Sequence, residues 1–95
     1  MNTPEGRLTD RIRRYLKKVP GLYFAKLSGQ AKQRAGLPDF IICYEGQFIA
    51  LEVKAPSNKR GLTDRQRNEL LKIKQAGGEA YVARSLTAVI KRFPL

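Results

Sequence analysis

Two apolar runs, residues 37–44 and 47–53, are hinged at Glu45-Gly46. A two-residue loop between such runs predicts a β-hairpin, because the tight turn's twist matches that of the flanking strands. Tyr44 then faces Gln47, and pairing outward sets Asp39 opposite Glu52. A four-residue loop centred on the same pair keeps this register, whereas an odd-length loop or a bulge breaks it. Phe40, Ile42 and Tyr44 alternate with Ile41 and Cys43, and residues 48–51 and 53 are also apolar. Both faces of the hairpin are therefore apolar, so helices are expected on both. Cys43 reads as a small buried hydrophobe.

The remaining apolar positions follow a helical or a short-strand rhythm. Leu8, Ile12, Tyr15, Leu16 and Val19 recur at helical spacing behind Thr3-Pro4-Glu5, an N-cap, N1 proline and first-turn acid. Pro20-Gly21 ends that helix. Residues 22–27 predict an aromatic strand, and residues 28–36, without apolar period, a flexible loop. After a loop at 55–61, Thr63 and Gln66 form a T-x-x-Q capping box opening a helix, with Leu70, Ile73 and Ala76 inward and Gly77-Gly78 as its stop. Residues 80–83 predict a last strand, and 85–93 a short helix burying Leu86, Val89, Ile90 and Phe93. The order α-β-β-β-α-β, then α, describes an α/β layered fold, read as one domain over residues 1–95.

Charge narrows the function. The 95 residues carry 19 Lys and Arg against 8 Asp and Glu, a formal charge of +11. Such an excess points to a polyanion, nucleic acid ahead of an anionic membrane. Lys26, Lys32 and Arg34 before Asp39, and Lys59-Arg60 in the following loop, are candidate phosphate contacts. No run approaches the roughly 20 apolar residues of a membrane span, and the start lacks a signal-peptide core, so a cytoplasmic protein is expected. Histidine is absent, which excludes Ser-His triads, imidazole acid–base chemistry and His-containing zinc sites. Cys43 is alone, so no intrachain disulfide forms. Any catalysis must come from carboxylates, lysine and metal.

The hairpin supplies that combination. Side chains alternate across a strand, so Glu52, Lys54 and Asp39 share one face. Two carboxylates directly opposite each other repel, and a divalent cation would offset the repulsion. Mg²⁺ prefers oxygen ligands and keeps several waters, so Asp39, Glu52 and the Val53 carbonyl suffice to hold it. Lys54 would orient water or stabilise developing negative charge. Blander accounts compete. Glu52 and Lys54 also fit an exposed strand-end ion pair worth ~0–1 kcal/mol. Glu5 fits helix-dipole stabilisation worth ~0.3–1 kcal/mol, although it falls on the inward face of its helix. Gln66 fits its capping box, although it too lies on the inward face.

Pro38-Asp39 with Glu52-Val53-Lys54 matches the PD-(D/E)xK nuclease signature. The wider pattern resembles the VRR-NUC (virus-type replication-repair nuclease) domain. It is carried by Glu5, by G-L-P-D-F at 36–40, by A-L-E-V-K at 50–54, by L-T-D-R-Q at 62–66 and by Gly78. The resemblance implies a mixed four-stranded sheet flanked by helices and cleavage of DNA with Mg²⁺, Mn²⁺ being expected to substitute. It makes Asp39 and Glu52 metal ligands and Lys54 the catalytic lysine. Glu5 becomes a supporting acid acting through water, and Gln66 an active-site polar group. It also implies a homodimer resolving four-way (Holliday) junctions, with neither membrane nor small-molecule cofactor involved. The alternatives are a non-catalytic basic nucleic-acid-binding module, or a nuclease for other DNA or RNA structures.

Overall fold

A computed structural model describes residues 3–29 and 34–95; Lys32 lies outside the described residues. Helix α1 (Pro4–Leu16) opens where the Thr3 hydroxyl accepts the Gly6 N–H at 3.0 Å. Strands β1 (Leu22–Lys26), β2 (Phe40–Tyr44) and β3 (Gln47–Val53) follow as a meander, then α2 (Asp64–Gln75), β4 (Glu79–Ala83) and α3 (Leu86–Arg92). Glu45 and Gly46 both have positive φ, 53° and 76°, as a type I′ turn requires. This turn sets the expected register: Tyr44 pairs with Gln47, and the ladder runs outward to Phe40 opposite Leu51. β1–β2 and β2–β3 are antiparallel, whereas β3 and β4 pair in parallel through the α2 crossover, giving a mixed sheet of order β1-β2-β3-β4.

One sheet face carries the main core. Phe40, Ile42, Ile49, Leu51 and Val53 pack on Leu8, Ile12 and Leu16 of α1 and on Val89 and Phe93 at α3. On the opposite face α2 sets Leu70 and Ile73 against Ala50 and Ala80, and so covers the β3–β4 half. Among the described residues no helix lies over the β1–β2 half of that face. Tyr23 is 68% exposed, Phe48 is 47% exposed, and Cys43 is exposed rather than buried. The expectation of helices over both hairpin faces thus holds only in part, because a twelve-residue α2 spans only its side of the sheet. Ala76 is exposed because it is the C-cap of α2 rather than part of the buried stripe. Ile90 is likewise 38% exposed, since the short α3 turns Val89 and Phe93 to the core. No described helix is long and apolar enough to cross a membrane.

β4 and α3 are tied by a forked ion pair, with Arg92 Nε and Nη2 donating to Glu79 at 2.6 and 2.8 Å. That hydrogen bonding, opposed by desolvation, holds the Glu79 carboxyl below its ordinary value of 4.5. A carboxyl whose folded pKa is lowered contributes stability above its unfolded pKa and loses it as pH falls through the folded value. Both side chains remain about a third exposed, so the contribution is small. Glu79→Gln is expected to lower stability by up to about 1 kcal/mol at pH 7. Thermal unfolding across pH should show the gap to wild type closing below about pH 4.

Candidate active site

The C-terminal end of β3 gathers the chemistry-bearing side chains. The buried Pro38 leads into β2, and the Asp39 carbonyl accepts the Leu27 N–H at 2.8 Å, prolonging the β1–β2 pairing. Asp39 stands one residue beyond the β2–β3 ladder, where the register sets it opposite Glu52. Its Oδ2 accepts the Val53 N–H at 2.8 Å, which fixes the carboxylate against the β3 backbone beside Glu52.

Glu52 and Lys54 are buried, 3% and 7% exposed, so they are not the exposed strand-end pair. Lys54 Nζ lies 3.9 Å from Glu52 Oε2. The same Oε2 accepts Gln66 Nε2 at 3.0 Å. Gln66 fulfils both of its readings at once, because an amide has an accepting and a donating end. Its Oε1 accepts the Thr63 N–H at 2.9 Å and its own N–H donates to Thr63 Oγ1 at 3.1 Å, closing the capping box. Its Nε2 is thereby aimed at Glu52, so the cap of α2 also orients a site carboxylate.

Gly36 locks the two sides of the site together. Its φ is +88°, and a Cβ there would stand 2.6 Å from the Arg65 carbonyl oxygen. The turn before Asp39 therefore lies directly on the first turn of α2, next to Gln66.

Glu5 reaches the loop after Lys54 rather than the carboxylate pair. Its Oε1 accepts the Ala55 N–H at 3.4 Å and Asn58 Nδ2 at 3.3 Å. Among the described residues, no three His, Cys, Asp or Glu side chains converge as a metal cluster. The donors at the site are instead two carboxylates and the β3 backbone. These are hard oxygen ligands, which suit an ion that keeps much of its water.

The model of the VRR-NUC domain matches residues 3–86. This chain belongs to the VRR-NUC family. Two solved structures are similar to it. One, described as a VRR-NUC domain, superposes with a TM-score of 0.72 at 26% identity, over 94% of this chain and 92% of the other. A second, described as a VRR-NUC domain protein, gives 0.70 at 18% identity, over 99% and 90%. At that identity the second speaks for the fold alone. No curated protein sequence matches. The matched span contains Glu5, Asp39, Glu52, Lys54 and Gln66, and the domain is of nuclease type.

Around this VRR-NUC site the predicted cations divide. Lys59 and Arg60 are exposed on the loop leaving the site. Arg34 donates to Glu69 at 3.1 Å, and Lys72 also approaches Glu69, at 3.7 Å, so Arg34 is engaged on α2. Lys26 pairs with Phe40 in the ladder and shares its face, 6.0 Å from the ring, while its Nζ donates to the Leu27 carbonyl. It therefore points to the α1 side and not towards Asp39.

Two further residues were not legible in the sequence. Arg84 Nη1 donates to the carbonyls of Ala55 and Asn58 at 3.4 and 3.2 Å, opposite the grip of Glu5 on the same loop. Asn58 read only as part of the 55–61 loop. Arg84 meets the loop because β3 and β4 run in parallel, with Val53 beside Ala83 and the Lys54 N–H on the Ala83 carbonyl. The single available signal was its position directly after the last strand.

Proposed function

We propose that this VRR-NUC domain hydrolyses phosphodiester bonds of DNA with Mg²⁺, acting as a homodimer on four-way junctions. The observation that carries this reading is the meeting of Asp39 and Glu52 at one strand end, beside a buried lysine and an amide bonded to Glu52. Asp39, Glu52 and the Val53 carbonyl would hold the ion, with Mn²⁺ as a substitute. When bound, the ion would neutralise charge on the scissile phosphate and supply an activated water.

The chain's own groups do the rest. The Val53 N–H keeps the Asp39 carboxylate from turning away, and Gln66 keeps that of Glu52 in place. Lys54 brings a positive charge to where negative charge develops as water adds to phosphorus and one P–O bond breaks. The leaving oxygen takes up a proton, completing a hydrolysis that consumes one water. Glu5, with Arg84, sets the shape of the 55–58 loop beside Lys54, which makes it a positioning residue. Lys59 and Arg60 on that loop would meet the phosphate backbone.

The homodimer reading is supported by the uncovered half of the sheet. Tyr23, Ile41, Cys43 and Phe48 line an uncharged hollow there. Two copies at +11 repel one another, so they approach at least cost through a hollow that no described cation lines. Cys43 is four strand residues from Asp39, about 13 Å, and a two-fold axis running along the strands there would place both sites at one end of the assembly. Two such sites suit symmetrical cuts on a two-fold substrate. Phe48→Asp is expected to shift sedimentation from dimer to monomer, and a bifunctional maleimide should link wild-type copies through Cys43.

The test incubates a labelled four-way junction and its matched linear duplex with wild type or Lys54→Ala, in Mg²⁺ or EDTA. Paired symmetrical nicks on the junction, absent in EDTA and at least about 100-fold slower with Lys54→Ala, are expected. Equal cutting of the linear duplex removes the junction preference. Tight binding without any cleavage overturns the enzyme and leaves a basic DNA-binding module.

A further inference from the structure

Helix α1 carries a row of cations that the candidate site does not use. Arg7, Arg11, Arg14 and Lys18 follow at steps of four, three and four residues, which at about 100° per residue keeps them on one face. All four are exposed, on the side away from the buried Leu8, Ile12 and Leu16. Two open grooves accompany the row. One, of about 290 Å³, lies between Arg7, Arg11, Pro56 and Arg84. The other, of about 500 Å³, is lined by Arg11, Arg14, Lys17 and Lys18, with Tyr15 and Leu86. Arg11 borders both, so the grooves adjoin.

No acid lines either groove. Of the two acids in α1, Glu5 is bonded to Ala55 and Asn58, and Asp10 flanks the row. Like charges three and four residues apart on a helix repel, and a merely solvated face usually interleaves opposite signs. Here that repulsion stands: among the described residues no ion pair involves Arg11, Arg14, Lys17 or Lys18. The row also begins beside the site, since Glu5 at its head grips the residues directly after Lys54. From Arg11 to Lys18 it extends about 10 Å, the length of roughly three phosphates along one DNA strand.

We propose that Arg11, Arg14, Lys17 and Lys18 form a phosphate-backbone track for a DNA arm leaving the candidate site. The direction of the arm rests on the nuclease reading; the track itself requires only a DNA ligand. Its cations meet phosphate and not base edges, so it adds affinity without sequence preference.

The test measures DNA binding against salt concentration in EDTA, where no metal-dependent cleavage occurs, using the junction and the linear duplex. Each lost phosphate contact flattens the plot of log K against log salt by about 0.9. Arg11→Gln/Arg14→Gln is expected to flatten it by about 1.8, while Arg11→Lys/Arg14→Lys restores most of the slope. Lys74→Gln/Lys91→Gln removes the same charge from exposed positions outside both grooves and should leave the slope near that of wild type. Equal slopes for the two Gln pairs, or no salt-dependent binding at all, overturn the track. The nuclease reading fails separately, by absence of cutting in Mg²⁺ and Mn²⁺, an outcome that leaves the slope comparison intact.

Discussion

Glu52→Gln/Lys54→Met should abolish cleavage and yet fold at least as stably as wild type. Glu52 and Lys54 are almost fully buried, and the 3.9 Å between Nζ and Oε2 is a loose approach. Desolvating two charges costs several kcal/mol, and a long ion pair in that setting returns only part of it. Replacing both with neutral groups of similar volume is expected to be neutral or to stabilise by about 1–4 kcal/mol. The amide oxygen introduced by Glu52→Gln can still accept the Gln66 N–H, so the α2 cap stays attached. Lys54→Met alone should instead cost about 3 kcal/mol, because it leaves the carboxylate buried without the lysine. Urea unfolding of wild type, single and double variants measures the difference. A double variant less stable than the single would mean that the pair itself holds the fold together and would contradict the desolvation argument.

Gly36→Ala should be the most damaging small substitution. At φ +88° an alanine is strained, and its Cβ would meet the Arg65 carbonyl oxygen at 2.6 Å and carbon at 2.7 Å. Both are backbone atoms of a capped helix turn, so no flexible side chain can give way. Strain and overpacking together are expected to cost about 2–4 kcal/mol, or roughly 10–20 °C in Tm for a domain of this size. Gly61→Ala provides the comparison: its φ is +75°, but nothing lies within 4 Å of the added carbon. It should lose only about 1 kcal/mol. The two also differ in activity. Moving α2 off the Gly36 turn shifts Gln66 from Glu52, so Gly36→Ala slows cleavage even where it remains folded. Equal losses of Tm for the two variants would refute the close approach.

The reach of the sequence follows the range of the forces. Turn chemistry at Glu45-Gly46 and the two-residue alternation are local, so the β2–β3 register and the Asp39–Glu52 juxtaposition were readable from them. The capping box at Thr63 was local too, and the inward face of Gln66 came from helical period alone. Coverage is not local. The pattern around Cys43 shows that a face is apolar, not whether a helix, a second copy or water covers it. Lys26 misled because its facing depends on the β1–β2 register, and a loop of unspecified path separates those strands. The grip of Glu5 and Arg84 on the 55–58 loop needed the parallel β3–β4 pairing, which no short-range signal fixes. The depth of Glu52 and Lys54 had the same origin: a strand-end pair is exposed unless a helix terminus closes over it, and α2 does so.

Single-turnover cleavage of one labelled DNA by wild type and Asp39→Asn, followed across Mg²⁺ concentration, tests the central claim most directly. Asp39→Asn keeps the shape and an oxygen acceptor for the Val53 N–H but removes one of the two charges proposed to hold the ion. It should bind the DNA with the salt dependence of wild type and cut it about 100-fold more slowly or not at all, with EDTA stopping both proteins. Cutting by Asp39→Asn at the wild-type rate, or cutting by wild type undiminished in EDTA, would contradict a metal-dependent site at the end of β3.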